Sequence, residues 1–271
     1  MACFHSRPAW KSTLPNEKGA HPINFNFRED RPPDYFIDCG RCEGCRAAQK
    51  RDWAIRMTHE SQMHERNSFV TLTYDDEHCP EKIEKRDIQL FMKRLRQKLD
   101  RKIRYFVTGE YGDQTRRPHY HAIIFGEDFR GGRYTYRVTD KLWGNKALEE
   151  IWRNGQIRIG HFNHSSALYT AGYTAKKIGD KDTFSLQSRC PPIGRTWLAK
   201  NHDNIRRIGS VVIEGKEYPV PKVYWNWLKG AECFDQMKEE LAAKTKVLND
   251  QKLRAKKLNY QSSQNLRSHK I

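Results

Sequence analysis

Arg117-Pro118-His119-Tyr120-His121-Ala122-Ile123-Ile124-Phe125 opens on two histidines spaced by one residue and runs directly into an apolar stretch that ends before Gly126. Alternate side chains of a β-strand share a face, so His119 and His121 are expected side by side. Upstream, Arg104-Tyr105-Phe106-Val107-Thr108-Gly109-Glu110 is a second strand, and the polar turn Gly112 to Arg116 joins the two as an antiparallel hairpin. Pairing across that turn brings Glu110 near His119. Ser68 to Tyr74, β-branched and aromatic, is a third strand. Between it and the hairpin, Ile88, Phe91, Met92, Leu95 and Leu99 recur at helical spacing, with Lys93, Arg94, Arg96 and Lys98 opposite. The order strand, helix, strand, strand predicts an α+β fold, an antiparallel sheet with helices on its faces.

Outside this block, residues 1–38 read as an irregular arm, and Arg46 to about Arg66 as a helix. The segment 138–153 reads as helical and Gln156–His161 as a strand. Ser165 or Ser166 is the expected N-cap of a helix running to about Ile178. Residues 181–227 read as irregular apart from a hairpin at Glu214-Gly215. About Ala231 to Asn259 reads as a basic helix, followed by a disordered tail. The expected divisions are 1–66, an arm with a cysteine cluster and basic helix; 67–180, the core; and 181–271, a C-terminal extension.

Fifty Lys and Arg against 33 Asp and Glu give a formal net charge of +17 over 271 residues. A charge excess of this size is the expected footprint of a nucleic-acid partner, although solubility alone also accounts for it. No run approaches the ~18 apolar residues of a membrane span, and the N-terminus lacks the apolar centre of a secretory signal. Seven cysteines, three of them in Cys39-Gly40-Arg41-Cys42-Glu43-Gly44-Cys45, fit a reducing cytoplasm.

The candidate chemistry rests on three groups. Two imidazoles and the Glu110 carboxylate make a ligand set for Mn²⁺, Mg²⁺ or Zn²⁺; alternatively Glu110 pairs with Arg116 or Arg117. Tyr169 and Tyr173, four apart on one helix face, are either core rings or a pair of phenol nucleophiles, with Lys176 and Lys177 following. Cys39, Cys42 and Cys45, with Cys3 or His5 as a fourth ligand, make a structural Zn²⁺ site, or else a set of reduced thiols. Arg46, Lys50, Lys93, Arg94, Arg96 and Arg117 are candidate phosphate contacts. Trp197, Tyr224, Trp225 and Trp227 are either stacking platforms for bases or core. Together these parts suit phosphodiester transesterification: a phenol attacks the phosphate, a metal polarises it, and a covalent DNA–tyrosine bond keeps the bond energy, so no nucleotide-binding loop is needed.

His119-Tyr120-His121 resembles the defining motif of the HUH endonucleases, and the likeness is closest to the replication initiators of the microviruses, the small single-stranded DNA bacteriophages. The matching stretches are Cys-Gly-Arg-Cys-Glu-Gly-Cys-Arg at 39–46, Phe-Val-Thr-Leu-Thr-Tyr at 69–74, Gly-Glu-Tyr-Gly at 109–112, Arg-Pro-His-Tyr-His at 117–121, Tyr-Thr-Ala-Gly-Tyr-Thr-Ala-Lys-Lys at 169–177 and Pro-Pro-Ile-Gly at 191–194. The resemblance implies a ferredoxin-like or RRM-like core with the histidine strand central and the tyrosine helix beside it. It implies that Glu110, His119 and His121 hold Mg²⁺ or Mn²⁺ and that Tyr169 and Tyr173 alternate as nucleophiles in starting and ending rolling-circle replication. It further implies a single-stranded DNA origin and host helicase and polymerase as partners, in the bacterial cytoplasm. Lys176 follows Tyr173 by three residues, whereas Gly172 takes that place after Tyr169, which favours Tyr173 as the initiating nucleophile. A single-strand transposase or plasmid relaxase uses the same chemistry, and a nucleic-acid-binding protein without chemistry is a further reading.

Overall fold

A computed structural model describes residues 3–26, 30–112, 114–176, 183–229, 254, 255, 257–259 and 262; of Ala175 and Lys176 it describes the backbone. In chain order the elements are β1 (Arg7–Lys11), β2 (Ile23–Asn24), β3 (Tyr35–Ile37), α1 (Glu43–Ser61), β4 (Asn67–Thr73), α2 (Lys85–Leu99), β5 (Arg104–Tyr111), β6 (Pro118–Phe125), β7 (Thr135–Arg137), β8 (Trp143–Asn145), α3 (Lys146–Trp152), β9 (Ile157–His161), α4 (His164–Lys176), β10 (Phe184–Gln187), α5 (Arg195–Ile208), β11 (Ser210–Ile213), β12 (Lys216–Pro219) and α6 (Lys222–Leu228). The chain divides into two compact units, Met1–Gln49 with Thr245–Ile271, and Lys50–Lys244.

In the larger unit a seven-stranded sheet runs in the order β10-β5-β6-β4-β9-β8-β7, with every pairing antiparallel. The fold is α+β, as the strand and helix order predicted, and the histidine strand β6 lies between β5 and β4. Alternation along the central strands sorts the two faces. Val70, Leu72, Val107, Tyr120, Ala122 and Ile124 point to one side, where Ile88, Phe91, Met92 and Leu95 of α2 and Leu148 and Trp152 of α3 cover them. Those four α2 side chains are at most 1% exposed, a burial worth roughly 1.5–3 kcal/mol each. Phe106, Ile123 and Phe125 point to the other side, against Ala54 and Met57 of α1 and Ala167 and Ala171 of α4. Small alanines let α4 approach the sheet closely.

Tyr120, the residue between the two histidines, anchors the opposite face. Its hydroxyl donates to the Glu84 carbonyl (2.7 Å), accepts from the Glu84 amide (3.2 Å) and meets the Tyr74 hydroxyl (2.7 Å). The strand is thereby tied to the start of α2, and both histidines are turned to the α1/α4 side. Glu60 of α1, buried, pairs with Arg104 of β5 and accepts from the Gly194 amide (2.8 Å), which fixes α1 over that face.

Several local expectations are corrected. The arm is not irregular: β2-β1-β3 form a three-stranded sheet, seated on the buried Ala9 and Trp10. Within 138–153 only Lys146–Trp152 is helical, because Trp143–Asn145 is taken up as a sheet strand and Asn145 caps the helix through the Leu148 amide (3.1 Å). The N-cap of α4 is Asn163 rather than a serine. Asn163 Oδ1 accepts from the Ser166 amide (2.7 Å) and Ser166 Oγ accepts from the Asn163 amide (3.0 Å), a reciprocal capping box. Residues 181–227 contain α5, β10 and α6 as well as the expected hairpin, whose Glu214 and Gly215 both take positive φ (50° and 74°), as a two-residue type I′ turn requires. Trp197, Trp225 and Trp227 pack with the buried Tyr224 in a cluster formed by α5, β11 and α6. The expected helix from Ala231 and the tail fall mostly outside the described residues, and Lys177 lies outside them as well.

Candidate active site

Register decides the site. β5 and β6 pair so that Glu110 stands directly opposite His119 and Thr108 opposite His121; β4 pairs so that Thr71 also stands opposite His121. Glu110, His119 and His121 therefore share the α1/α4 face. Glu110 Oε1 lies 3.0 Å from Nε2 of His119 and 2.9 Å from Nε2 of His121. The other ring nitrogens are held from behind: His119 Nδ1 faces the Arg117 carbonyl (3.2 Å) and His121 Nδ1 faces the Thr71 hydroxyl (3.1 Å). A carbonyl only accepts, so His119 Nδ1 carries a proton and Nε2 is the nitrogen turned inward, the one a cation would take.

Burial raises the Glu110 carboxyl, but the hydrogen bonds from His119 and His121 outweigh it and hold the group at about 2. Burial pushes His121 down, against the pull of Glu110, so its ring is neutral and suited to ligation. Glu110 is 8% exposed and His121 5%. The three donor atoms lie within 4.8 Å of one another. Adjacent ligands of an octahedral cation with bonds of about 2.1 Å stand about 3.0 Å apart, which the two Glu110 contacts match. Two imidazoles and one carboxylate in this arrangement fit a divalent metal.

α4 brings both tyrosines to this cluster. The Tyr169 hydroxyl lies 3.3 Å from His121 Nε2, and its ring is edge-on to His121 with centroids 5.0 Å apart. Tyr173 stacks on His121 at 5.4 Å and meets Tyr169 edge to face at 5.0 Å. Tyr169 is 48% exposed, while Tyr173 is half-buried. Burial pushes the Tyr173 phenol up, and hydrogen bonding to Tyr169 and the nearby Glu110 charge push it the same way. Phe69, two residues before Thr71 on the same face of β4, stacks on His121 at 5.5 Å and meets Tyr169 edge-on at 6.0 Å.

Of the candidate phosphate contacts, Lys50 alone is seen against the tyrosine helix: a Cβ built on Gly172 would stand 3.4 Å from Lys50 Nζ. The amine thus occupies space beside the position three residues after Tyr169. Lys93, Arg94 and Arg96 ride on α2, on the far face of the sheet from the histidines. Arg94 donates to the Trp152 carbonyl (3.0 Å) and Arg96 to the Ile103 carbonyl (3.0 Å), while Lys93 is exposed. Arg117 binds Asp76 and the Tyr74 carbonyl (3.1 Å), and Arg46 Nε donates to the Arg41 carbonyl (3.0 Å). Lys176 is the last residue of α4. In the smaller unit the sulfurs of Cys3, Cys39, Cys42 and Cys45 form a second cluster within 4.8 Å; His5 is not among its ligand atoms. Thr71 and Phe69 were missed from sequence. Their signal was alternation within Phe69-Val70-Thr71, usable only once the β4–β6 register is known.

A family model described as a replication-associated protein of the ORF2 type matches residues 67–178, the stretch from β4 past the last described residue of α4. The chain is 36% identical over 214 residues to replication-associated protein VP4 of Bdellovibrio phage phiMH2K, covering 72% of this chain and 68% of that protein. It is 31% identical over 263 residues to replication-associated protein ORF2 of Spiroplasma virus 4, covering 83% and 79%. With replication-associated protein ORF4 of Chlamydia phage 1 it shares 30% identity over 216 residues, covering 71% and 53%. No solved structure matches. At this identity and coverage the chain belongs to the replication-associated proteins of small bacteriophages, and its role lies in the initiation of phage replication.

Proposed function

We propose that the protein is a metal-dependent tyrosine endonuclease and strand transferase that nicks single-stranded origin DNA to start and end rolling-circle replication. The observation that carries this reading is the convergence of two phenols on a carboxylate–bis-imidazole cluster, with Tyr169 Oη 3.3 Å from His121 Nε2. Rings packed only for stability have no reason to meet three metal-ligand atoms at one end of a sheet.

Glu110, His119 and His121 would hold the cation, which when bound supplies Lewis-acid polarisation of the scissile phosphate. The chain's own residues do the rest. A tyrosine oxygen attacks phosphorus and the P–O3′ bond breaks; the 3′ oxygen leaves with the electron pair and takes a proton from water, while the phenol proton passes to water. The 5′ end stays on the protein as a phosphotyrosine, and the free 3′-hydroxyl is available to the host polymerase, with a helicase opening the duplex ahead. Tyr173 is assigned the first cut and Tyr169 the second, at the regenerated origin. Burial disfavours ionisation of Tyr173, so nearby positive charge is needed to lower its barrier; Lys50 beside Gly172, and Lys176 at the end of α4, are assigned to it and to the phosphate. Thr71 and the Arg117 carbonyl orient the two imidazoles.

The test is to incubate the full chain with a labelled single-stranded origin oligonucleotide and Mn²⁺ or Mg²⁺, then denature. A complex that survives denaturation and needs the metal supports the reading. Salt-sensitive binding with no such complex contradicts it and favours a binding protein without chemistry.

A further inference from the structure

We propose that Cys3, Cys39, Cys42 and Cys45 hold a structural Zn²⁺ as a tetrathiolate, separate from the Glu110–His119–His121 cluster. Their ligand atoms lie within 4.8 Å of one another, with Cys3 Sγ 3.8 Å from Cys42 Sγ and Cys39 Sγ 4.0 Å from Cys45 Sγ. Around a tetrahedral Zn²⁺ with bonds of about 2.3 Å, sulfurs stand about 3.8 Å apart. A disulfide needs about 2.05 Å, and all four cysteines are free. The spacing is that of ligands round one cation.

The surroundings are built for thiolates. Four backbone amides point at the sulfurs: Phe4 N to Cys42 Sγ (3.3 Å), His5 N to Cys3 Sγ (3.4 Å), Cys39 N to Cys3 Sγ (3.2 Å) and Cys42 N to Cys39 Sγ (3.4 Å). Such donors stabilise sulfur that carries negative charge. Zn²⁺ with four thiolates bears a net double negative charge, and Arg41 and Arg46 line the same hollow as Cys39 and Cys42.

The fold of this unit gives the ion its purpose. Cys3 precedes β1, Cys39 follows β3, and Cys42 and Cys45 stand at the start of α1. Within described residues 3–49 the buried apolar side chains are Cys3, Phe4, Ala9 and Trp10, too few to hold a small three-stranded sheet by burial alone. One cation joining the two ends of that sheet to the helix start supplies the missing cohesion.

The test uses the full chain purified without chelator, dialysed and assayed for zinc by mass spectrometry. Expected is one zinc per chain, retained in a Cys79→Ser/Cys190→Ser control and in a His119→Ala/His121→Ala variant, and lost in Cys42→Ser. In case Cys42→Ser fails to fold, the wild-type chain produced with Co²⁺ in place of zinc gives an independent reading: intense ligand-field and sulfur charge-transfer bands of a tetrahedral thiolate centre. Zinc that is absent, that survives Cys42→Ser, or that disappears only with the histidines overturns the proposal, as does a cobalt spectrum without sulfur bands.

Discussion

Glu110 and His119 are direct cross-strand partners in the β5–β6 hairpin, nine residues apart in sequence and 3.0 Å apart from Oε1 to Nε2. A slip of one residue in that register would turn Glu110 to the α2 face and leave the histidines without a carboxylate. Tyr120 opposes the slip, since its hydroxyl is bound to Glu84 and Tyr74 on that other face. Packing on one side of the strand thus determines ligand geometry on the other.

Thr71 acts on the metal only through His121. Replacing it with the near-isosteric valine removes the hydroxyl 3.1 Å from Nδ1. Affinity for Mn²⁺ should fall by about ten- to a hundredfold with circular dichroism unchanged. A Mn²⁺ titration of adduct formation, paired with calorimetric Mn²⁺ binding, checks it; equal Mn²⁺ affinity in Thr71→Val removes Thr71 from the account.

Lys50 offers its charge beside the tyrosine helix. Lys50→Met should slow adduct formation by about a hundredfold while weakening oligonucleotide binding only to the extent of one lost phosphate contact. Single-turnover rates at saturating oligonucleotide separate the two effects. A rate equal to wild type would leave Lys50 as a packing residue against Gly172.

Acid should weaken the fold before any carboxylate in it is protonated. His59, stacked on Trp197 at 3.4 Å and 3.0 Å from the Tyr224 hydroxyl, is pushed down to about 3 by burial, with His164 adding to it. An unfolded histidine takes up its proton near 6.5. Below that pH the unfolded state binds the extra proton, so stability held above 6.5 drains away as pH falls toward 3. For Glu60, burial raises the carboxyl, but bonds from His64, Arg104 and the Gly194 amide lower it below 4.5. Its contribution is lost only at still lower pH. Urea unfolding between pH 6.5 and 4.5 should show His59→Gln losing about 1.4 kcal/mol less per pH unit than wild type. Parallel slopes would mean that His59 is protonated in the native state.

The sequence carried the sheet and its site to the extent that local pattern specifies them. Alternation put His119 and His121 on one face, turn chemistry paired Glu110 with them, and the apolar spacing of Ile88 to Leu99 produced α2. Long-range neighbours left no such mark. Thr71 became a partner of His121 through register, and Lys50 reached Gly172 from another helix, neither of which a local window contains. α5 was missed because its two buried side chains, Leu198 and Ile205, stand seven residues apart in a polar segment. The arm looked irregular because strands of two to five residues are too short to show a period.

The most direct measurement is to locate the covalent bond. Trypsin releases Ile159–Lys176, a single peptide holding both Tyr169 and Tyr173. After reaction with the origin oligonucleotide and nuclease trimming, mass spectrometry should find a nucleotide 5′-phosphate on a tyrosine of that peptide, and Tyr169→Phe/Tyr173→Phe should yield none. A DNA-linked residue elsewhere in the chain, or an adduct that persists in the double variant, contradicts the central claim.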